Sequence, residues 1–238
     1  MPQDSSSREW DHVAGNLATA RARIAAAAEA AGRDPAGIEL VAVSKTFPVA
    51  ALRAAMAAGQ CVFGENRVQE ALPKIEALAA APDPGASAPR FHLVGHLQTN
   101  KAKHGWAFDM IESVDSLRIA AALERRLPHP TPVLLEVNVA GEASKHGFAP
   151  DEVGPALTAI APLAKLDVVG LMTVGPLAAE AESVRPVFRE LRRLRDAEAD
   201  RLGPGHLSMG MSDDFQVAIA EGATMVRLGR AIFGDRRA

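Results

Sequence analysis

The sequence has no tyrosine, a single cysteine (Cys61) and only 4% aromatic residues. One cysteine excludes an intramolecular disulfide and a thiolate metal cluster, and it is typical of proteins in a reducing compartment. Because aromatic side chains are scarce while hydrophobic residues make up 48% of the chain, the core must consist mainly of Ala, Val, Leu and Ile. A chain of 238 residues can bury a full core as one large domain or two small ones.

A strong net charge and long apolar runs are also missing. The formal net charge is −3 and the isoelectric point is about 6.2, which argues against a general nucleic-acid-binding or anionic-membrane surface. No apolar run approaches the length of a membrane span, and the opening residues, MPQDSSSREWDH, have no apolar signal-peptide core. We therefore expect a cytoplasmic protein with a flexible N-terminus at residues 1–12 and a single domain over residues 13–238.

Short apolar runs alternate with helix-like segments along the whole chain. The predicted strands cover residues 38–44, 61–65, 90–95, 108–114, 132–139, 166–174, 206–211 and 224–229. These runs are rich in Val, Leu and Ile without polar alternation, which is typical of parallel strands covered on both faces. The pattern predicts an α/β fold, a single (β/α)8 TIM barrel, with an extra N-terminal helix from about Val13 to Ala31. A doubly wound open sheet is the alternative, but no G-x-G-x-x-G follows the first strand.

Three local features carry further structural predictions. Pro73 is expected to break the helix in VQEALPKIEALAA or to start a new one. Ser212 is expected to cap a helix that begins at Asp213. The segment AAAPDPGASAP, near residues 79–89, is expected to form a surface loop.

The first predicted strand ends in a lysine, in the stretch LVAVSKTFP. Strand alternation places Val41, Val43 and Lys45 on one side, so Lys45 points into the barrel mouth if the valines fill the barrel. Partial burial near positive groups lowers the pKa of a lysine and frees its amine for Schiff-base chemistry. A solvent-facing amine is the simpler interpretation of this residue taken alone.

Two segments at the ends of the seventh and eighth strands predict an anion site. In SMGMSDD, Gly210 permits close backbone approach and Ser212 lies at a helix N-terminus, which favours negative charge. In VRLGRAIFG, Arg227 precedes Gly229 and Arg230 in a turn, and these strand ends often bind phosphate in barrels. Neither segment has the P-loop pattern, so a nucleoside triphosphate is not expected. Phosphate beside a reactive lysine suggests pyridoxal phosphate (PLP), although a Schiff-base aldolase needs the same two groups.

Other charged groups give weaker signals. His92, His96 and His104 have no clear metal-ligand spacing, so no metal site is predicted. The adjacent Asp213 and Asp214 are typical of acids in the first turn of a helix rather than of a catalytic pair. No catalytic residue is predicted.

Six motifs follow one another along the chain. They are VAVSKTFP, FGENRVQE, HLVGHLQTNK, VNVAGEASKHGF, GLMTVGP and LSMGMSDDFQVAIAEGATMVRLGRAIFG. Together they closely resemble the pyridoxal phosphate homeostasis protein family, from about Asn16 to Gly234. The resemblance implies a single barrel like the N-terminal domain of alanine racemase and the fold-type III PLP enzymes. It also implies an internal aldimine, a Schiff base, between PLP and Lys45.

The resemblance implies further cofactor contacts. Asn66 of GENRVQE would lie beside the cofactor ring, and Arg227 of VRLG would face the pyridine nitrogen. The residues implied to hold the phosphate are Met211, Ser212, Gly229 and Arg230.

These implied contacts bear on activity. Because arginine is always protonated, Arg227 would disfavour a proton on the pyridine nitrogen, and an unprotonated pyridine is a weak electron sink. Alanine racemase resembles this arrangement but uses a second base, a tyrosine from an added β domain, and this chain has neither. We expect a non-catalytic carrier that stores, buffers or delivers PLP in vitamin B6 homeostasis, with a fold-type III amino-acid racemase as the alternative.

The expected partners are PLP and apo PLP-dependent enzymes, with no nucleic acid or membrane, and a monomer is favoured over a dimer.

Overall fold

The computed structural model describes residues 9–83, 87–176 and 180–235. Eight parallel strands form a closed barrel in which each strand pairs with the next along the chain and the last pairs with the first. The strands are β1 (Glu39–Val43), β2 (Val62–Glu65), β3 (Arg90–Leu93), β4 (Met110–Val114), β5 (Thr131–Glu136), β6 (Leu166–Met172), β7 (His206–Ser208) and β8 (Met225–Leu228). This closed barrel confirms the predicted (β/α)8 fold and excludes the open doubly wound sheet.

Helices surround the barrel. Those in the described ranges are α1 (His12–Ala30), α2 (Val49–Ala57), α3 (Val68–Ala80), α4 (Leu117–Glu124), α5 (Val153–Ile160), α6 (Arg185–Ala197), α7 (Phe215–Ala220) and α8 (Arg230–Phe233). After β3 a 3₁₀ helix, Thr99–Ala107, takes the place of an α-helix. Among the described residues, no helix combines the length and the apolar composition needed to cross a membrane.

The two faces of β1 pack into different parts of the core. Val41 is fully buried and belongs to a cluster inside the barrel, together with Leu134 and Met225. Leu40 and Ala42 face the other way and pack in the larger layer between strands and helices. Because both faces of the strand are buried, its sequence is a continuous apolar run without alternating polar residues. Val41 therefore fills the barrel, as the predicted placement of Lys45 requires.

Helix α1 covers the end of the chain. Its buried residues recur at helical spacing and are Val13, Leu17, Ala20, Ile24 and Ala28. The Asn16 side-chain amide donates to the Ile232 carbonyl of α8 at 2.9 Å. Just before the helix, Trp10 is buried and contacts Phe47 edge to face, with ring centroids 6.0 Å apart. The predicted extra helix is therefore packed onto the domain.

The predicted break at Pro73 is wrong, because α3 continues through this residue. Ala71 and Leu78 are buried on the inner face of the helix, and Lys74 on the same face is held by several hydrogen bonds. Pro73 lies on the exposed face. A proline inside a helix removes one backbone hydrogen bond, and here the packing of the opposite face outweighs that loss.

The predicted cap at Ser212 is also wrong, because α7 begins at Phe215 rather than at Asp213. Asp214 Oδ1 accepts a hydrogen bond from a backbone N–H three residues earlier, at 2.6 Å, which closes a turn before the helix. Ser212 Oγ instead accepts from the Ala231 N–H in α8, at 3.4 Å. The serine therefore links the β7–α7 loop to the last helix.

Two predictions fall on segments that the structure describes only in part. Of the N-terminus predicted to be flexible, residues 1–8 lie outside the described residues. Of the predicted surface loop at 79–89, residues 84–86 also lie outside them. The flexible segment 1–12 and the domain limits 13–238 therefore stay predictions.

Candidate functional site

Lys45 occupies a tight turn directly after β1. The Ser44 N–H donates to the Gly64 carbonyl of β2 at 2.9 Å, and the Phe47 N–H donates to the Ser44 carbonyl at 3.1 Å. Thr46 has a φ of 70°, in the left-handed region that few non-glycine residues adopt. These features fix the backbone on both sides of Lys45, which is half-buried.

A group of polar side chains behind this turn, which we call the Lys74 cluster, consists of Ser44, Glu65, Glu70 and Lys74. Lys74 Nζ donates to the Ser44 carbonyl at 2.8 Å and to Glu65 Oε1 at 2.7 Å. It also donates to Glu70 Oε1 at 3.0 Å, and this same oxygen accepts from the Thr46 N–H. Ser44 Oγ donates to Glu65 Oε1 at 2.6 Å. The cluster therefore holds both neighbours of the predicted cofactor lysine.

A second group, which we call the Arg227 network, lies inside the barrel and consists of His92, Glu112, Ser208 and Arg227. Arg227 Nη1 donates to Ser208 Oγ at 2.5 Å, and Nη2 donates to the Thr173 carbonyl at 2.7 Å. Ser208 Oγ donates to Glu112 Oε2 at 2.5 Å, and His92 Nδ1 lies 2.7 Å from Glu112 Oε1. All four side chains are buried, so the guanidinium is held in one position.

The charges of the Arg227 network support one another. Burial alone would raise the pKa of Glu112, but hydrogen bonds with His92 and Ser208 and the charge of Arg227 hold it below its usual value. Because Glu112 is then ionised at neutral pH, His92 must donate from Nδ1. Burial lowers the pKa of Arg227, yet a guanidinium stays protonated under all ordinary conditions.

Glu136 adds a titratable group at the end of β5. Burial and the nearby Asp115 carboxylate raise the pKa of Glu136 to about 7, against the opposing charges of Arg227 and His96. A carboxyl group that titrates near neutral pH therefore lies at the barrel mouth. Glu136 was not predicted from the sequence.

The residues predicted to hold phosphate lie on two neighbouring segments. The contact between Ser212 Oγ and the Ala231 N–H brings the β7–α7 loop against the first turn of α8. A Cβ atom at Gly229 would lie 3.2 Å from the carbonyl oxygen of the last β1 residue, so this close approach favours glycine. The Arg230 guanidinium forms an ion pair with Asp213. Arg230 would therefore contribute to an anion site mainly through its backbone.

Asn66 lies directly after β2, which pairs with β1 on the edge opposite β8. It lines a cavity of about 440 Å³ whose other lining groups include Arg67, His96 and Gln98. A Cβ atom at Gly95 would lie 2.5 Å from the Asn66 carbonyl oxygen, so the backbone packing here requires glycine. Asn66 is thus held in place by the neighbouring strand end.

Barrel closure brings the most separated predicted residues together. Val41 pairs with Arg227 across β1 and β8, so the Lys45 turn and the strand of Arg227 are neighbours despite their distance in sequence. Sequence reasoning missed Glu65, Glu112 and the partners that hold them. An acidic residue inside an apolar strand, as in VFGE and MIESV, is the signal that could have identified both.

Comparison with known proteins places the chain in a family. The family model described as the alanine racemase N-terminal domain matches residues 15–237. The pyridoxal phosphate homeostasis protein of Pseudomonas aeruginosa is 46% identical over 232 residues, which is 94% of this chain and 96% of the relative. The protein of the same name from Escherichia coli K12 is 42% identical over 235 residues, covering 94% and 97% of the two chains.

Solved structures give the same result. PipY of Synechococcus elongatus, solved with PLP bound, is 36% identical with a TM-score of 0.79, covering 93% of this chain and 100% of PipY. Alanine racemase of Corynebacterium glutamicum shares the fold at a TM-score of 0.69 and 19% identity, covering 95% of this chain and 62% of the racemase. The chain therefore belongs to the pyridoxal phosphate homeostasis protein family, built on the barrel of the alanine racemase N-terminal domain.

Proposed function

We propose that the chain binds PLP through a Schiff base with Lys45 and holds it for storage, buffering or delivery in vitamin B6 homeostasis, with little or no catalysis. One observation carries the proposal. A fixed lysine turn lies beside the strand of a buried arginine in a barrel 36% identical to PipY, which was solved with PLP bound. The names of the curated relatives support the same role.

The side chains at the barrel mouth fit the chemical groups of PLP. The Lys45 amine suits its aldehyde, and the Arg227 guanidinium suits the pyridine nitrogen, which accepts a hydrogen bond when unprotonated. Gly210, with a φ of 94°, and Gly229 let the β7–α7 loop and the start of α8 pack closely against neighbouring protein atoms. Backbone N–H groups of these two segments would hold the phosphate. The remaining proposed cofactor contacts are Asn66, Met211, Ser212 and Arg230.

The Arg227 network supports a carrier rather than a catalyst. Bound PLP acts as an electron sink in amino-acid chemistry, and this needs a protonated pyridine nitrogen to work well. Arg227 is permanently charged and fixed by Ser208 and the Thr173 carbonyl, so it would keep a proton off that nitrogen. The network therefore weakens the electron sink, and the lack of a tyrosine for the second base separates this chain from a racemase of similar arrangement.

An amino-acid racemase is the second candidate, because the family model that matches the chain is named after alanine racemase. A two-base racemase needs a second proton donor, and the full sequence contains no tyrosine for this role. A measurement of proton exchange separates the two candidates. In deuterated solvent, PLP-loaded protein should leave the α-hydrogen of a panel of amino acids unexchanged over many hours, whereas a racemase would exchange one of them with many turnovers.

A spectroscopic titration tests binding itself. Adding PLP to the wild-type protein should produce the absorption band of a protonated Schiff base at one equivalent. Lys45→Ala should abolish this band, while Lys103→Ala, which removes an exposed lysine of the 3₁₀ helix, should leave it unchanged. A normal band in Lys45→Ala protein would refute the proposed tether.

The partners and location belong to the same proposal. The recipients would be apo-enzymes that require PLP, with the carrier acting as a monomer in the cytoplasm. Mixing PLP-loaded protein with an apo-enzyme and following the recovery of enzyme activity measures delivery. Recovery no faster than with an equal concentration of free PLP would argue for storage instead.

A further inference from the structure

Three side chains at the barrel mouth form a cluster that the proposed function does not use. We call it the His-Asp-His cluster, and its members are His96 after β3, Asp115 after β4 and His146 in the loop after β5. His96 Nδ1 lies 2.5 Å from Asp115 Oδ2, and His146 Nδ1 lies 3.9 Å from the same oxygen. One donor atom from each residue lies within 4.8 Å of the other two. The chain brings these donors together from three separate segments.

The two imidazole rings are stacked, with centroids 3.8 Å apart and planes 14° from parallel. Neutral imidazole is the form that ligates metal ions. Two such rings and one carboxylate make a three-ligand set that leaves coordination positions open to water.

Asp115 is a buried carboxylate directly after β4. Its side chain is only 5% exposed, and Ser116 Oγ donates to its Oδ1 at 3.0 Å. Within the described ranges, its ion-pair partners are the two imidazoles alone. Glu136 adds a second acidic group at the end of the neighbouring strand β5. The surroundings therefore favour a bound cation.

The loop that carries His146 is held at several points. The Asn138 N–H donates to the Phe148 carbonyl at 2.9 Å, which closes the loop at its base. Lys145 Nζ donates to the Gly175 carbonyl at 2.9 Å. The His146 side chain itself is 57% exposed, so its ring can rotate towards an ion while the backbone stays in place.

We propose that His96, Asp115 and His146 bind a divalent first-row transition-metal ion, with Zn²⁺ as the expected occupant. Imidazole donors suit zinc, copper, iron and nickel, whereas magnesium and calcium prefer all-oxygen sites. Zinc binds imidazole nitrogen and carboxylate oxygen at about 2.0–2.2 Å. The ion therefore takes the place of the proton between His96 Nδ1 and Asp115 Oδ2, and His96 carries its proton on Nε2. The site goes beyond PLP binding and does not require it.

Calorimetry with zinc tests the site on untagged, chelator-treated protein without PLP. The wild type should bind one Zn²⁺ per chain, and Co²⁺ as a probe should develop visible absorption distinct from that of the aqueous ion. His146→Asn should weaken zinc binding at least about tenfold, because loss of an outer-sphere partner already costs about 10- to 100-fold. His129→Asn is the matched control, since it removes an exposed histidine just before β5, at the other end of the barrel.

Two results would overturn the site: wild-type zinc affinity in His146→Asn, or a wild-type cobalt spectrum identical to that of the aqueous ion. Because His146 is mostly exposed, its replacement should not disturb folding. Lys45→Ala protein should bind zinc as the wild type does. A failure of PLP binding and a failure of metal binding are therefore distinguishable.

Discussion

The Lys74 cluster and the Arg227 network each place a fully buried glutamate near a buried cation. They differ in how many of the glutamate oxygens have a hydrogen-bond partner. Both oxygens of Glu112 lie within hydrogen-bond distance of a partner, Oε1 of His92 and Oε2 of Ser208. Glu65 receives its hydrogen bonds on Oε1, and within the described ranges its Oε2 has no partner. Accordingly, burial raises the pKa of Glu65, whereas hydrogen bonds and charge overcome burial at Glu112 and lower its pKa.

A buried carboxylate is better stabilised in its ionised form when both of its oxygens accept hydrogen bonds, as those of Glu112 do. The complete network surrounds Arg227, whose proposed role needs an unchanging charge and position. The incomplete cluster supports the turn of Lys45, whose proposed role is to exchange a cofactor. We infer that the turn is less firmly fixed than the guanidinium, and substitutions in the two groups test this order.

Glu112→Gln should have the largest effect. The substitution removes the buried charge that pairs with His92 and, through Ser208, faces Arg227. Leaving buried charged groups uncompensated costs about 3–5 kcal/mol of the free energy of unfolding. Urea denaturation at neutral pH measures the loss. Glu76→Gln, at an exposed position on α3, is the control and should change stability by less than about 0.5 kcal/mol. If Glu112→Gln lost as little unfolding free energy as the control, the Arg227 network would not be the more stabilising of the two groups.

Glu65→Gln should have a smaller effect, of about 1–2 kcal/mol, because Glu70 remains to pair with Lys74. The same substitution should weaken PLP binding, since the cluster holds both neighbours of Lys45. Parallel urea and PLP titrations of the two variants measure these effects. If Glu65→Gln proved more destabilising than Glu112→Gln, the inferred order of the two groups would be reversed.

The pH dependence of the two variants should also differ in sign. Glu112 has a lowered pKa, so its stabilising contribution is complete above about 4.5, the unfolded value, and is lost as the pH falls through the folded value. Glu65 has a raised pKa, so wild-type stability declines as the pH rises from 4.5 through its folded value. The cost of Glu65→Gln should therefore shrink with rising pH over that window. A Glu65→Gln curve that runs parallel to the wild type from pH 4 to pH 8 would contradict the shift assigned to Glu65. A Glu112→Gln curve that stays parallel to the wild type as the pH falls well below 4.5 would contradict the shift assigned to Glu112.

The barrel and its functional end could be predicted from sequence because both depend on local patterns. Apolar runs with intervening helical periodicity define the strands, and parallel strands in a barrel all end on one side. The lysine in VAVSK and the arginine in VRLG are then placed at the same end without any knowledge of their contacts. Alternation places Val41 and Lys45 on the same side of β1, and the structure shows that Val41 lies inside the barrel.

The interior contacts could not be predicted, because they depend on closure of the barrel. Glu112 and Ser208 are 96 positions apart in sequence, and only the closed barrel brings their side chains together. The three donors of the His-Asp-His cluster likewise lie on three different loops. The errors at Pro73 and Ser212 have a related cause, since tertiary packing overrode the local preference of each residue.

Asp213→Asn should have the smallest effect. Its ion pair with Arg230 is mostly exposed, with both side chains more than half accessible, and such pairs contribute about 0–1 kcal/mol. We expect a change in unfolding free energy of less than about 0.5 kcal/mol, measured by the same urea titration. This variant tests whether an exposed ion pair contributes less to stability than the buried groups do. A loss of unfolding free energy above about 2 kcal/mol would contradict this.

Borohydride reduction of the PLP-loaded protein, followed by peptide mapping, tests the proposed cofactor tether most directly. Reduction converts a Schiff base into a stable secondary amine and so marks the lysine that holds the cofactor. We predict a single pyridoxyl-phosphate label at Lys45 in the wild type, with the same label in Glu65→Gln protein at lower occupancy. A label confined to another lysine, or no label in protein saturated with PLP, would contradict the account.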